Sequence, residues 1–356
     1  MTSSPEEQRP LLERCAAGVW RGLGRDAGIY LLVSGYIVIT VLAAGLTGHL
    51  PHYSLMVYPQ TTIQVSIVLG LFMVVGYGGY VMLYRRPSFP LRYLAGQIRR
   101  FVVSAAFFRG LFLLLVFTLF FSAVSSSKSL IGVWQPFAWD ARFAHWDAWL
   151  HGGKMPWQWL QPVLGYPWIT TAINAVYNLW FMVMFAVFYW QLFSSRDERR
   201  RQRFLISFIG CWAVNGTLLA VLFSSAGPCF FHYLLPDGPD PFAPLMRYLH
   251  AAQRVSPVWA LSTQDMLWQY HQAGALGVGT GISAMPSMHV SIAWLMVLLT
   301  AGSPLILRYF LRAFFVVILL GSVHLGWHYA IDGYFSVLTT TLIWSVTAWI
   351  GRPAHE

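Results

Sequence analysis

The sequence is short of charge. Only 10% of its 356 residues are Asp, Glu, Lys or Arg while 57% are apolar, against roughly a quarter charged in a soluble domain. A water-soluble fold does not fit that balance. Cysteine is scarce as well: Cys15, Cys211 and Cys229 fall in a tail, a span and a loop of the topology derived below. No two share a compartment, so no intramolecular disulfide and no thiolate metal site is expected. The first 26 residues lack the apolar core of a cleavable signal peptide and carry Glu6, Glu7, Arg9, Glu13 and Arg14 instead, which leaves the first apolar run as its own insertion signal. No fixed-period repeat stands out.

Long apolar runs are what the chain does have. Crossing about 30 Å of hydrocarbon takes roughly 20 helical residues, and about eight runs approach that length. They cover Ala27 to Leu50, Thr62 to Tyr84, Val103 to Val124, Trp168 to Phe193, Phe204 to Phe223, Met288 to Ala301, Leu305 to Gly326 and Tyr329 to Ile350. The sixth is short and is expected to begin inside the preceding loop. The 17 Trp, 17 Tyr and 25 Phe suit helices whose ends sit in the headgroup layer. The fold class is therefore all-α, a polytopic membrane helical bundle.

Basic residues set the expected orientation, because loops rich in Lys and Arg stay cytoplasmic. One set of connecting segments holds Arg9, Arg14, Arg21 and Arg25, then Arg85, Arg86, Arg92, Arg99 and Arg100, then Arg196, Arg199, Arg200, Arg201 and Arg203, then Arg308, Arg312 and Arg352. The alternate set holds Lys128, Arg142, Lys154, Arg247 and Arg254. Both termini are expected on the cytoplasmic side, and a bacterial inner membrane is the expected location. The net charge of +10 then reads as a topology signal with some attraction to anionic lipid, and not as a nucleic-acid footprint. Arg109 is the one basic residue inside a span; it is either functional or, near the cytoplasmic end, free to snorkel outward.

Two outer segments are too long for simple turns. Ser125 to Pro167 includes Phe137 to His151, whose mixed aromatic and charged residues suit a helix lying in the interface plane. Within it Asp140 and Asp147 read as a solvated charged face or as contacts to a polyol. Gly227 to Pro286 carries seven prolines and a weakly amphipathic stretch from Pro244 to Val255, and loops of such length are usually lids or binding elements. Ten of the eleven histidines belong to this outer half, with only His355 on the other side.

Two stretches carry chemistry. In Gly281-Ile282-Ser283-Ala284-Met285-Pro286-Ser287-Met288-His289 a Pro-Ser pair opens the sixth span. Backbone N–H groups at such a helix start favour an anion, and His289 one turn in could give it a proton. In His324-Leu325-Gly326-Trp327-His328-Tyr329-Ala330-Ile331-Asp332-Gly333, His328 and Asp332 are four apart. On a helix they share a face, and the carboxylate can fix the imidazole tautomer that a nucleophilic or basic histidine needs. The chain crosses the membrane twice between the stretches, so both return to one side.

The run Ala284-Met285-Pro286-Ser287-Met288-His289, followed by Gly326-Trp327-His328-Tyr329-Ala330-Ile331-Asp332, resembles the type-2 phosphatidic acid phosphatase superfamily. Within it the chain looks most like the branch of fungal inositol phosphorylceramide synthase and its bacterial relatives, to which Asn178-Leu179-Trp180-Phe181 and Ser225-Ala226-Gly227-Pro228 are also similar. The resemblance covers roughly 103–351 as a six-helix catalytic core. It leaves a tail at 1–26, two additional spans in 27–102 and a short tail at 352–356.

The resemblance implies metal-independent, cofactor-free transfer of a phosphoryl group or phospho-alcohol at the membrane surface, on the extracytoplasmic side. His328 would attack phosphorus, Asp332 would orient it and His289 would protonate the leaving alkoxide. Ser287, Pro286 and Gly227 would help hold the phosphate. The substrate would be a lipid phosphate or phospholipid, and the acceptor water, a polyol or a ceramide-like alcohol. The sequence departs from the phosphatases of the superfamily in two places: Ser322 stands where an Arg is usual, and Ser225-Ala226-Gly227-Pro228 where an Arg-Pro pair is expected. Arg247 or Arg254 could supply the missing charge. Two other classes stay open: a metal site on the row His324, His328 and Asp332, and a non-enzymatic lipid transporter or binding protein, with Gly76, Gly78 and Gly79 breaking the second span.

Overall fold

The computed structural model describes residues 11–194 and 197–350. Glu6, Glu7, Arg9, Arg196, Arg352 and His355, with the tail from 352 onward, lie outside the described residues. Those described form helices and connecting loops without a strand, as the apolar runs require: in hydrocarbon every backbone N–H and C=O must be paired within its own segment.

Six helices among the described residues are long and apolar enough to cross a membrane: Ala27–Leu46, Pro59–Arg85, Ala105–Ser129, Pro167–Phe193, Glu198–Leu222 and Leu305–His324. Local chemistry sets their starts. Pro59 and Pro167 occupy first-turn positions, where proline costs no hydrogen bond. The Ser104 hydroxyl accepts from the Phe107 N–H and the Asp197 carboxylate from the Arg200 N–H, each cap worth about 1 kcal/mol. Ala330–Ile350 adds a 21-residue helix.

The expected short span is the 12-residue helix Met288–Leu299. It rises about 18 Å, well under the thickness of a bilayer core, and so begins inside the bundle. It is surrounded by the Leu305–His324, Ala330–Ile350 and Trp180–Phe193 helices, with Val290, Ile292, Leu295 and Met296 fully buried. Its first turn, which carries His289, is therefore set within the protein. Small residues allow the close packing: a Cβ on Gly333 would stand 2.5 Å from Leu319, and one on Gly110 2.3 Å from the Phe193 ring.

Hydrogen bonds join the first two spans to the rest: Tyr36 to Thr217 at 2.8 Å and Ser66 to Tyr189 at 2.7 Å. At the opposite end from the histidines, four charges interlock. Arg109 donates bidentately to Asp26 and to Glu198, and Arg201 reaches the same two carboxylates at 3.0 and 3.1 Å. Arg109 is 8% exposed and Asp26 fully buried, which overturns the snorkelling reading of Arg109: its charge is matched inside the bundle. The segment before the first span carries a helix, Leu11–Arg25.

Both long outer segments carry helices. Asp140–Leu150 and Pro156–Leu164 build the first, and Ala243–Gln253 and Trp259–Ala273 the second. The expected amphipathic stretch at 244–255 matches Ala243–Gln253, whereas Trp259–Ala273 has no forerunner in the sequence reading.

Candidate active site

His328 does not lie on a continuous helix with Asp332. The preceding helix ends at His324, and the next begins at Ala330. The contact survives by another route. Asp332 sits in the first turn of its helix and its Oδ2 accepts the Tyr329 N–H at 3.0 Å, one half of a capping box, which turns the carboxylate back toward the loop. There His328 Nδ1 stands 3.4 Å from Oδ2 and 2.8 Å from the Ala284 carbonyl. With Nδ1–H donated to these oxygens, the lone pair of the neutral ring resides on Nε2. Burial pushes the His328 pKa down to about 3, the charge of Lys128 acting in the same direction and the Ala284 hydrogen bond against it. The ring is a free base near neutral pH.

Ala284 belongs to the first stretch and His328 to the second, so their bond joins the two. A second join is the Ser336 hydroxyl, which donates to the carbonyls of Ser287 and Asp332 at 3.0 and 2.6 Å. His289 ends 6.4 Å from His328, ring centre to ring centre. It is stacked on Tyr177 at 4.5 Å and flanked by Trp180 at 4.3 Å, while the Trp180 indole donates to the His289 carbonyl at 2.9 Å. Tyr177 and Trp180 flank the Asn178-Leu179 pair of the sequence motif, which explains that motif as a wall for His289.

Both histidines line one cavity of about 320 Å³. Lys128 lines it too, and is the one Lys or Arg to do so among the described residues. It lies at the end of the Ala105–Ser129 helix, ahead of both motifs. Arg247 and Arg254 are exposed on or just after the Ala243–Gln253 helix and do not line the cavity. Among the described residues it is Lys128, and neither arginine, that brings a positive charge to the cavity lining.

Other expected phosphate ligands serve the scaffold. The Ser287 hydroxyl caps its own helix through the Val290 N–H at 3.4 Å and Ser287 is fully buried; Pro286 is buried beside it after a cis peptide bond. Neither lines the cavity, nor does Gly227. The Gly227 N–H is taken by Asp140 at 2.8 Å. Its φ is +106° and a Cβ there would meet the Trp327 carbonyl at 2.6 Å, so glycine is required for the Ser225–Pro228 loop to pass beneath the histidine loop.

Asp140 and Asp147 overturn both readings given to them. They are 3% and 1% exposed and act as internal clamps. Asp140 accepts from the amides of Ala226 and Gly227 and from the Tyr329 hydroxyl. Asp147 accepts from the amides of Ala330 and Ile331 at 2.8 and 3.0 Å, capping the helix that carries Asp332. Burial raises the pKa of both, Asp147 to about 7, with their backbone hydrogen bonds opposing.

The row of His324, His328 and Asp332, on which the sequence leaves a metal site open, is broken. His324 Nε2 pairs with the Thr170 hydroxyl at 2.9 Å, and His324 does not line the cavity. Among the described residues no group of three or more His, Cys, Asp or Glu is placed to hold a metal ion. What the cavity lining does present is two imidazoles, His289 and His328, and one cation, Lys128.

No curated protein and no solved structure matches the chain. A sequence model of the PAP2 superfamily does, over residues 141–346. That stretch contains His289, His328 and Asp332 together with the Asp140–Leu150 helix but for its first residue, and it covers more than half of the protein, so the chain belongs to the PAP2 superfamily, whose activities are of the phosphatase and phosphotransferase type.

Proposed function

We propose that the protein breaks a phosphate ester of a lipid through a phosphohistidine at His328 and passes the phosphorus to water or to an alcohol. The observation that carries this reading is the commitment of His328 Nδ1 to Ala284 and Asp332, which leaves Nε2 as the nucleophile in a cavity shared with His289 and Lys128. In the first step an N–P bond forms at Nε2 and the P–O bond to the leaving group breaks. The departing oxygen takes a proton from His289, whose imidazolium is supported by the charge of the bound phosphate. In the second step His289, now a base, takes the proton of water or alcohol as its oxygen attacks phosphorus, the N–P bond breaks, and His328 returns to its neutral form. Asp332 holds the positive ring through Nδ1, and Lys128 neutralises oxygens of the phosphorus centre.

A single lining cation favours a phosphodiester, with one negative charge, over a dianionic monoester. That supports transfer of a headgroup to a polyol or ceramide-like acceptor; hydrolysis is the second reading. The segregation of arginines supports a site on the extracytoplasmic face with both termini on the other.

The test is headgroup turnover by purified protein in detergent on a panel of lipid phosphates and phosphodiesters, with EDTA, with and without an alcohol acceptor. EDTA-resistant turnover that disappears in His328→Ala, with acid-labile phosphate trapped on His328 by mass spectrometry, is expected. Turnover unchanged in His328→Ala would overturn the assignment, and dependence on alcohol separates transfer from hydrolysis.

A further inference from the structure

The cavity continues away from the histidines, and its far end is built of rings. From Lys128 to Phe121 the Ala105–Ser129 helix runs seven residues, about 10 Å along its axis, and both residues line the same space. Phe121 is the hub of the far end. Tyr58 lies 5.7 Å from it, Phe185 5.8 Å and Trp212 6.4 Å, ring centre to ring centre, and all three also line the cavity. Four different segments thus close one floor. The titratable groups His289, His328 and Lys128 share the lining with Tyr177 and Trp180, whereas the patch around Phe121 is wholly aromatic, so one cavity offers a place for a charged head and an apolar place for a hydrocarbon chain.

Tyr58 comes from the two-span unit that precedes the stretch matched by the superfamily. Its place is fixed by hydrogen bonds to the helix that carries Phe121. The Ser122 hydroxyl accepts the Tyr58 N–H at 3.0 Å, and the Ser126 hydroxyl accepts the Ser54 N–H at 3.1 Å while donating to the Ser54 carbonyl at 2.8 Å. The connector between the first two spans is therefore fastened to the cavity wall at two successive turns. The volume of about 320 Å³ sits at the lower end of small-molecule pockets, roughly 300–1,000 Å³. It takes a phosphate with a stretch of one chain and is too small for two long acyl chains.

We propose that this cavity is a chain-length gauge for a lipid phosphate carrying one chain inside the bundle, with the floor of Phe121, Tyr58, Phe185 and Trp212 setting the longest chain accepted and the N-terminal two-span unit supplying part of that floor. The proposal rests on the phosphoryl-transfer reading for the identity of the head end, and on the rings alone for the gauge.

Two arms test it. In the first, kcat/KM is measured for choline phosphodiesters carrying one straight alkyl chain of six to eighteen carbons, with wild type, Phe121→Ala and Phe185→Ala. Wild type is expected to show a sharp fall beyond one chain length. Both variants should raise the ratio of kcat/KM for the longest chain over that for the shortest by tenfold or more, because each methylene that gains a buried place adds to transition-state binding. In the second arm alkylphosphonates of the same lengths, which cannot be hydrolysed, are titrated against His328→Ala protein with and without Phe121→Ala or Phe185→Ala, reading the shift in Tm and the quenching of tryptophan fluorescence. A length break that moves in this arm, with no turnover in the first, keeps the gauge and sinks the catalytic reading. Binding that is indifferent to length, or profiles that superimpose in wild type and either folded variant, overturns the gauge.

Discussion

The Tyr329 hydroxyl donates to Asp140 at 2.8 Å across 189 positions of sequence. This bond links the residue beside His328 to the Asp140–Leu150 helix, and the same carboxylate holds the Ser225–Pro228 loop through Ala226 and Gly227. Asp140→Ala strands three buried donors at once. At about 1.5–3 kcal/mol for each hydrogen bond to a charged group, partly recovered by relaxation, a loss of at least about 3 kcal/mol is expected, seen as a lower Tm in detergent. Tyr329→Phe removes one of the three and should cost about 1.5 kcal/mol.

Asp147 gives the fold a pH dependence of known sign. Its folded pKa is raised to about 7 by burial, above the ordinary aspartate value near 3.9. The unfolded chain gives up this proton first as pH rises, so the contribution is full below about pH 4 and is lost as pH climbs through about 7. Asp147→Asn keeps an oxygen for the Ala330 and Ile331 amides and has no proton to lose. Its Tm should fall less than that of wild type between pH 5 and pH 8; parallel curves would contradict the assignment.

Lys128 and His289 separate in kinetics. Lys128→Met removes a charge-assisted contact worth about 1.5–3 kcal/mol, so kcat/KM should drop roughly 10- to 100-fold, with partial recovery in Lys128→Arg. Under the proposed mechanism His289→Ala removes proton transfer, expected to cost about 10²- to 10⁴-fold on a poor leaving group. That loss should shrink with a p-nitrophenyl ester, whose oxygen departs without a proton. A loss independent of the leaving group would remove His289 from the acid role.

Arg109→Met leaves Asp26, fully buried, with Arg201 alone. Breaking a buried pair by removing one partner costs about 3–5 kcal/mol. The double variant Arg109→Met with Asp26→Asn should be destabilised by less than the sum of the two single changes, measured as Tm in detergent.

How much of this was legible in the sequence depended on whether one segment held the signal. The spans could be read because twenty apolar residues in a row need no partner to be recognised, and the pairing of His328 with Asp332 because they stand four positions apart. That pairing was right for a different reason than the spacing implied: a capping carboxylate folds back onto a loop, where the sequence suggested two residues on one helix face. The roles of Asp140 and Asp147 were not legible. Their donors, at Ala226, Gly227, Tyr329, Ala330 and Ile331, are mostly backbone groups far along the chain, which leave no mark on residue type. Lys128 was visible only as a member of the sparse basic set. Its being one of just two lysines, with Lys154, at the end of an apolar span, was the available signal. Arg109 looked free to snorkel because its partners, Asp26 and Glu198, sit in other segments.

The four interlocked charges also impose an order on biosynthesis. Asp26 enters the membrane first, at the head of the first span, and its countercharges arrive 83 and 175 positions later. Until the Ala105–Ser129 helix emerges, that carboxylate has no partner in this network, and until the Glu198–Leu222 helix follows, Arg109 has only one. The network around Asp26 can therefore be complete only once the Glu198–Leu222 helix has been made, and a chain ending between the two helices holds Asp26 and Arg109 without Glu198 and Arg201.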